Sequence, residues 1–215
     1  DGVTARLRDA GHVIGSSIVE LFLTENGRET KVVFSGDLGQ WDAPIIEDPT
    51  LIPNADFVFI ESTYGDRLHE KIGSRKELLM EHVMNTWRKG GKLLIPSFAL
   101  ERTQELLYLL SELKTENSDF PDMKIYLDSP LAIKITEVFR DNPDAYDRDA
   151  RSRKDMLFNF PGLICTTTSD ESRKINDSTE PAIIIAGSGM CNAGRIRHHI
   201  KHGIWDSRNT IMFVG

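Results

Sequence analysis

Phe57-Val58-Phe59-Ile60-Glu61-Ser62-Thr63-Tyr64-Gly65-Asp66-Arg67 sets a short apolar run directly before a polar, acid-led turn. Four apolar residues in a row suit a short strand buried on both faces, and the run breaks at once into an acid, two hydroxyls, an aromatic and a glycine. In open α/β sheets ligands bind beyond the carboxyl ends of strands, so Glu61 stands where a site is expected. An ordinary strand ending in a polar turn has the same local sequence, and the flanking residues must decide between the two.

Upstream, residues 3–8 alternate apolar and polar as a half-buried strand does, and they lead into the turn Gly11-His12-Val13-Ile14-Gly15. The runs 18–23 and 31–34 flank Asn26-Gly27, a hairpin turn in which both residues tolerate positive φ. Such a hairpin carries His12 at the entry of one strand and Asp37 at the exit of its partner, and antiparallel pairing brings those ends together. An imidazole and a carboxylate so placed suit zinc or manganese, although two residues do not make a metal site and both types also serve as plain turn residues.

Residues 40–56, with Pro44, Pro49 and Pro53, predict a loop. After Arg67 the pattern becomes an alternation of helices and strands. Helices are expected over 70–89, 103–113, 131–140 and 194–202, and strands over 92–96, 125–128, 182–186 and 210–214. Residues 141–180 are polar and irregular, with an extended run near 163–167 and a short helix near 169–175. This alternation predicts an α/β fold with a mostly parallel sheet flanked by helices, preceded by a β-hairpin and one further strand.

The 215 residues carry 40% hydrophobic and 27% charged side chains, a globular composition with no run of spanning length and no apolar leader. A cytoplasmic protein that does not enter a membrane is the expectation. Only Cys165 and Cys191 are present, too few for a disulfide framework, so reduced thiols are expected. A net charge of -7 excludes a uniformly basic nucleic-acid coat but allows a local basic patch. Opening on Asp1 and closing just after a strand-like run, the sequence reads as a piece of a longer protein.

Six motifs now stand in register: Gly11-His12-Val13-Ile14-Gly15-Ser16, Phe34-Ser35-Gly36-Asp37, Glu61-Ser62-Thr63-Tyr64-Gly65, Pro96-Ser97-Phe98-Ala99, Leu127-Asp128-Ser129-Pro130 and Gly187-Ser188-Gly189-Met190. In this order they resemble the β-CASP branch of the metallo-β-lactamase superfamily, and within it RNA-processing nucleases similar to the nuclease subunit of the cleavage and polyadenylation specificity factor. The resemblance implies a partial metallo-β-lactamase half over residues 1–66 and a Rossmann-like β-CASP domain over 67–215. It implies hydrolysis of RNA phosphodiesters, with single-stranded RNA as partner and two zinc ions, or manganese, as cofactor.

Residue by residue, the resemblance makes His12 and Asp37 metal ligands, Asp37 bridging both ions. It makes Glu61 an acid that orients a histidine contributed later in the chain, and places Ser62, Thr63 and Tyr64 at the junction of two domains. The family's leading His-x-His-x-Asp-His motif is absent, so the metal centre is expected to be incomplete and the chain alone inactive. Exposed sheet surface would then favour association, including a homodimer.

Gly187-Ser188-Gly189, followed by a helix and Arg195, is read as a phosphate contact, since glycine turns before helices present free N–H groups. Arg67 and Arg102 follow strand tips, where an arginine either meets phosphate or is simply solvated. The cluster Arg148, Arg151, Arg153 and Lys154 reads as a solvated helix face, His69, His82 and His202 as packing or surface residues, and Met190 and Cys191 as turn and core residues. His198 and His199 match no motif of the resemblance. The alternative to an enzyme is a non-catalytic RNA- or protein-binding subunit of the same fold.

Overall fold

A computed structural model describes residues 1–67 and 74–214, which leaves His69 and the first turn expected of the helix over 70–89 outside the described residues. The chain divides into two compact units, Asp1–Lys71 with Asn142–Ser152, and Ile72–Asp141 with Arg153–Gly215.

The first unit is built on a four-stranded sheet in the order β1 (Gly2–Asp9), β2 (Ser17–Glu25), β3 (Arg28–Phe34) and β4 (Phe57–Phe59). The hairpin β2–β3 closes at Asn26 and Gly27, with φ of 50° and 74°, the doubly left-handed turn that matches strand twist. β4 joins β3 in parallel, Phe34 opposite Phe59, and the two rings stack at 4.7 Å. Register places Ala5, Leu21, Val32 and Phe57 on one face and Arg6, Glu20, Val33 and Val58 on the other. On the second face Glu20 is buried and neutralised by Lys31 at 2.7 Å and Arg8 at 3.2 Å. Ala10, Ile18 and Val33 form a small core with Ile52 and Ala55 from the loop below.

One expectation is corrected here. β4 is not buried on both faces: Phe57 and Phe59 are 60% and 58% exposed, and Ile60 is 67% exposed. β4 ends the sheet order and is three residues long, so among the described residues only β3 borders it. An apolar run reports that a segment can be buried, but the neighbours that would bury it are not encoded in it.

The second unit holds a five-stranded sheet, all parallel, in the order β7 (Leu163–Cys165), β6 (Lys124–Leu127), β8 (Ala182–Ala186), β5 (Lys92–Pro96) and β9 (Thr210–Ile211). Its central strands read as continuous apolar runs because both faces are covered: Leu93, Ile95, Ile125, Leu127, Ile183, Ile184 and Ile185 are fully buried. Each such side chain contributes roughly 1.5–3 kcal/mol on burial. Helix α1 (Arg75–Arg88) begins where Ser74 accepts from the Glu77 N–H and packs through Leu79, Val83 and Thr86, one stripe at helical spacing. Leu78 and Trp87, next to that stripe in sequence, are exposed.

Helix α2 (Arg102–Glu116) is buried along most of its length, and α3 (Pro130–Asp141) starts with proline at its first position. The polar segment 141–180 proves more ordered than its composition predicts. It forms a short 3₁₀ turn (Pro143–Ala145), two short helices α4 (Arg148–Ser152) and α5 (Lys154–Leu157), β7 and the capped helix α6 (Ser169–Asp177). Arg151 donates to the Asp144 and Tyr146 carbonyls, and Arg153 pairs with Glu112 and Glu116, so these arginines are engaged rather than merely solvated. The last helix, α7, spans Ile196–Gly203.

Candidate functional sites

In the first unit three chain segments meet at one end of the sheet. Ser16 Oγ accepts from the N–H groups of His12 and Val13 and so fixes the turn that presents His12. Gly39 N–H donates to the Ala10 carbonyl at 2.9 Å, laying the Asp37-containing loop against that turn. The approach is so close that a Cβ on Gly39 would stand 1.6 Å from the Gly11 carbonyl oxygen. Leu38 N–H donates to Glu61 Oε1 at 2.6 Å, bringing the end of β4 to the same place. His12, Asp37 and Glu61, far apart in sequence, are thereby borne by three segments of which the Asp37 loop is bonded to each of the other two.

The Glu61 carboxylate is tied at both oxygens: Oε2 accepts from Thr63 Oγ1 at 2.6 Å beside the Leu38 bond to Oε1, while Glu61 N–H donates to Ser35 Oγ at 3.1 Å. The Thr63 hydroxyl first, then the Leu38 N–H and the neighbouring His12, hold its carboxyl below the ordinary value against the opposing effect of burial. Asp37, Ser62, Thr63, Tyr64 and Arg67 are exposed, and the Arg67 guanidinium lies 5.3 Å from the Tyr64 ring centre.

Whether these residues suit a pair of metal ions can be tested on the donor set. Among the described residues no three His, Cys, Asp or Glu side chains converge as a ligand group. Glu61 is already tied to Leu38 and Thr63 by one hydrogen bond on each oxygen, and even with it His12 and Asp37 make at most three donors. Two catalytic ions need roughly seven protein ligands, so the residues present do not by themselves fit a two-metal centre.

In the second unit the tips of parallel strands converge. Ser97 follows β5, Asp128 and Ser129 follow β6, and Gly187 follows β8, the carboxyl edge where open α/β sheets bind ligands. A Cβ on Gly187 would lie 3.5 Å from Ser129 Oγ and 3.8 Å from the Ser97 carbonyl oxygen, and one on Gly189 would stand 2.7 Å from the Phe98 ring. Three of the six sequence motifs are thus one surface. Of Met190 and Cys191, expected as turn and core residues, Met190 lies in a turn and is 69% exposed, while Cys191 is half-buried at φ 55°. Cys165 and Cys191 are both free thiols.

Arg195 has other partners than the phosphate expected for it. Its guanidinium turns inward, donating to Asp128 Oδ1 at 2.7 Å and to the carbonyls of Thr166 and Thr167 at 3.0 and 2.8 Å. Arg102 pairs with Glu105. Asp128 is fully buried and also accepts from Thr166 Oγ1 at 2.5 Å, Ser172 Oγ at 2.6 Å and His199 Nε2 at 2.6 Å. Burial pushes its carboxyl up, and the four donors outweigh burial, His199 foremost, holding the group well below the ordinary carboxylate range. Sequence reasoning missed this buried cluster; its signals were an acid directly after a β-strand and an unassigned histidine pair three and four residues beyond Arg195.

An all-parallel sheet with glycine-bearing turns at its carboxyl edge, and a mixed sheet at one end of which lie the loops that carry His12, Asp37 and Glu61, define an α/β protein. Residues 103–215 match the Beta-Casp domain, just over half of the chain, and the chain belongs to the β-CASP family. It is 37% identical over 209 residues to Ribonuclease TTHA0252 of Thermus thermophilus, covering 96% of this chain and 47% of that protein. It is 33% identical to the transcription termination factor FttA of Methanocaldococcus jannaschii, covering 97% of this chain and 33% of that one. With the cleavage and polyadenylation specificity factor 73 of Drosophila melanogaster it shares 31% identity, covering 96% of this chain and 29% of that protein. The chain thus spans half or less of the length of these relatives.

Proposed function

We propose that this chain is part of a metal-dependent ribonuclease that hydrolyses phosphodiester bonds in single-stranded RNA, in a cytoplasmic setting. Residues 1–66 would belong to a metallo-β-lactamase half and residues 67–215 to the β-CASP domain. The observation that carries the reading is the hydrogen bond from Leu38 N–H to Glu61 Oε1, which ties the Asp37 loop to the end of β4 beside the His12 turn. The relatives named as ribonucleases supply RNA as the substrate class.

In this reading His12 and Asp37 are two ligands of a zinc or manganese pair completed elsewhere, which would supply Lewis-acid chemistry at the phosphate. Glu61, held ionised by Thr63 and Leu38, acts as a fixed acceptor that orients its neighbours and not as a proton donor at neutral pH. Ser62, Thr63, Tyr64 and Arg67 offer hydroxyls, a ring and a cation to RNA, and Ser188 with Gly189 offers a phosphate contact in the second unit. The chain by itself is inactive, for want of ligands.

The test is chelator-sensitive cleavage of labelled single-stranded RNA by the longer protein that contains this chain, with Asp37→Asn as control. Cleavage that Asp37→Asn lowers by a factor of about 10² or more supports the reading; cleavage indifferent to Asp37→Asn contradicts it.

A further inference from the structure

The Gly187–Gly194 turn is held from beneath. Gly187 carbonyl accepts from the Ile196 N–H at 3.0 Å, and Ser188 N–H donates to the Ala193 carbonyl at 3.2 Å, so the turn is pinned to the start of α7. The start of α7 is in turn pinned by Arg195 and, one turn on, by His199, and both reach the same carboxylate. Asp128 is therefore the point at which β6, β7, α6 and α7 are tied together: its own strand, Thr166 after β7, Ser172 on α6, and Arg195 with His199 around α7.

Each oxygen takes two donors, Arg195 and Thr166 on Oδ1, Ser172 and His199 on Oδ2. His199 is anchored on its far side by Asn176 Oδ1 at 2.8 Å. Such a cluster is costly to bury unless every member is satisfied, and here the carboxylate accepts four hydrogen bonds. A stack of apolar side chains would hold these elements at lower cost, so the cluster's physical distinction is directional: it fixes where Arg195, and hence the turn above it, sits.

We propose that Asp128 is a positioning residue for the Ser188–Gly189 phosphate contact, acting through Arg195 and His199. The inference rests on the reading of that turn as an RNA contact. It replaces a direct role for Arg195 with an indirect one: the guanidinium shapes the turn from below, and the Ser188 hydroxyl, which donates to Asn192 Oδ1 at 2.9 Å, would exchange that partner for the ligand beside Gly189.

The experiment measures affinity of the chain for a labelled single-stranded oligoribonucleotide, with the Ser188 and Gly189 amide NMR signals followed in the same samples. Asp128→Asn keeps the shape but removes the charge that holds Arg195; affinity should fall about tenfold and both amide signals should move before any RNA is added. Leu107→Ala, a cavity in the fully buried stretch of α2 away from the cluster, serves as an equally destabilised control and should change neither. If Asp128→Asn does not fold, Thr166→Val, which deletes one donor only, should give the same changes at smaller size. Unmoved amide signals in a folded Asp128 or Thr166 variant, or equal losses in the Leu107 control, overturn the proposal. Ser188→Ala separates the two claims. If it leaves affinity unchanged, the turn is not the RNA contact, and the amide signals still decide whether Asp128 shapes it.

Discussion

The Glu61 side chain and the Leu38 backbone N–H meet at 2.6 Å, a bond that joins the exit of an edge strand to the loop that carries Asp37. Removing it should loosen the first unit locally. Glu61→Ala deletes two acceptors, one of them for a backbone donor that would be left partly buried, and is expected to lower stability by about 1–3 kcal/mol. Urea unfolding monitored by the fluorescence of Trp41 reports it; a change below about 0.5 kcal/mol would remove the structural role assigned to this carboxylate.

The same carboxylate predicts a pH dependence. Its folded-state pKa is lowered, so its contribution is fully present above the ordinary glutamate range and is lost as pH falls through the folded value. Asp128 has the same sign in the second unit. Stability of the wild-type chain should therefore drop more steeply on acidification than that of Glu61→Gln, whose side chain does not titrate. Parallel acid titrations of the two chains would count against this.

Gly39 leaves no room for a side chain. With a Cβ set 1.6 Å from the Gly11 carbonyl oxygen, Gly39→Ala must separate the two loops that present His12 and Asp37. A loss of about 1–3 kcal/mol or more is expected, together with loss of the Gly39 to Ala10 hydrogen bond in hydrogen exchange. Wild-type protection at the Gly39 amide in this variant would show that the loops accommodate the methyl group.

One sheet face of the first unit is apolar and open: Val3 is 70% exposed, Leu7 64% and Phe57 60%. Such a surface promotes association. The wild-type chain is expected to scatter light in a concentration-dependent way, and replacing Val3 by Thr, Leu7 by Lys and Phe57 by Thr, none of them buried, should leave the fold intact and remove that scattering. Scattering that persists in the triple variant would place the associating surface elsewhere.

Much of this architecture is legible in the residues. Asn26-Gly27 alone gives a hairpin, and the isoleucines at 183–185 give a strand covered on both faces. The edge position of β4 was not legible, because Phe57-Val58-Phe59-Ile60 has the same composition whether or not neighbours cover it. Hairpin register makes the meeting of the loops that carry His12 and Asp37 legible, whereas the hydrogen bond of Glu61 to Leu38 depends on a crossing through the 40–56 loop, whose three prolines mark irregularity but not its path. Asp128 and His199 meet across 71 positions through the order β6-β8-β5, which only the folded sheet supplies, so no local pattern announced them.

The central claim is that this chain carries part of a ribonuclease site and cannot complete it alone. Incubating the purified chain and the longer protein containing it with labelled single-stranded RNA, each with zinc or manganese and with or without chelator, tests it most directly. The account predicts chelator-sensitive cleavage by the longer protein and none above background by the chain, which offers His12 and Asp37 where a metal pair needs roughly seven ligands. Efficient chelator-sensitive cleavage by the chain itself, or a longer protein inert on every RNA tried, would contradict it.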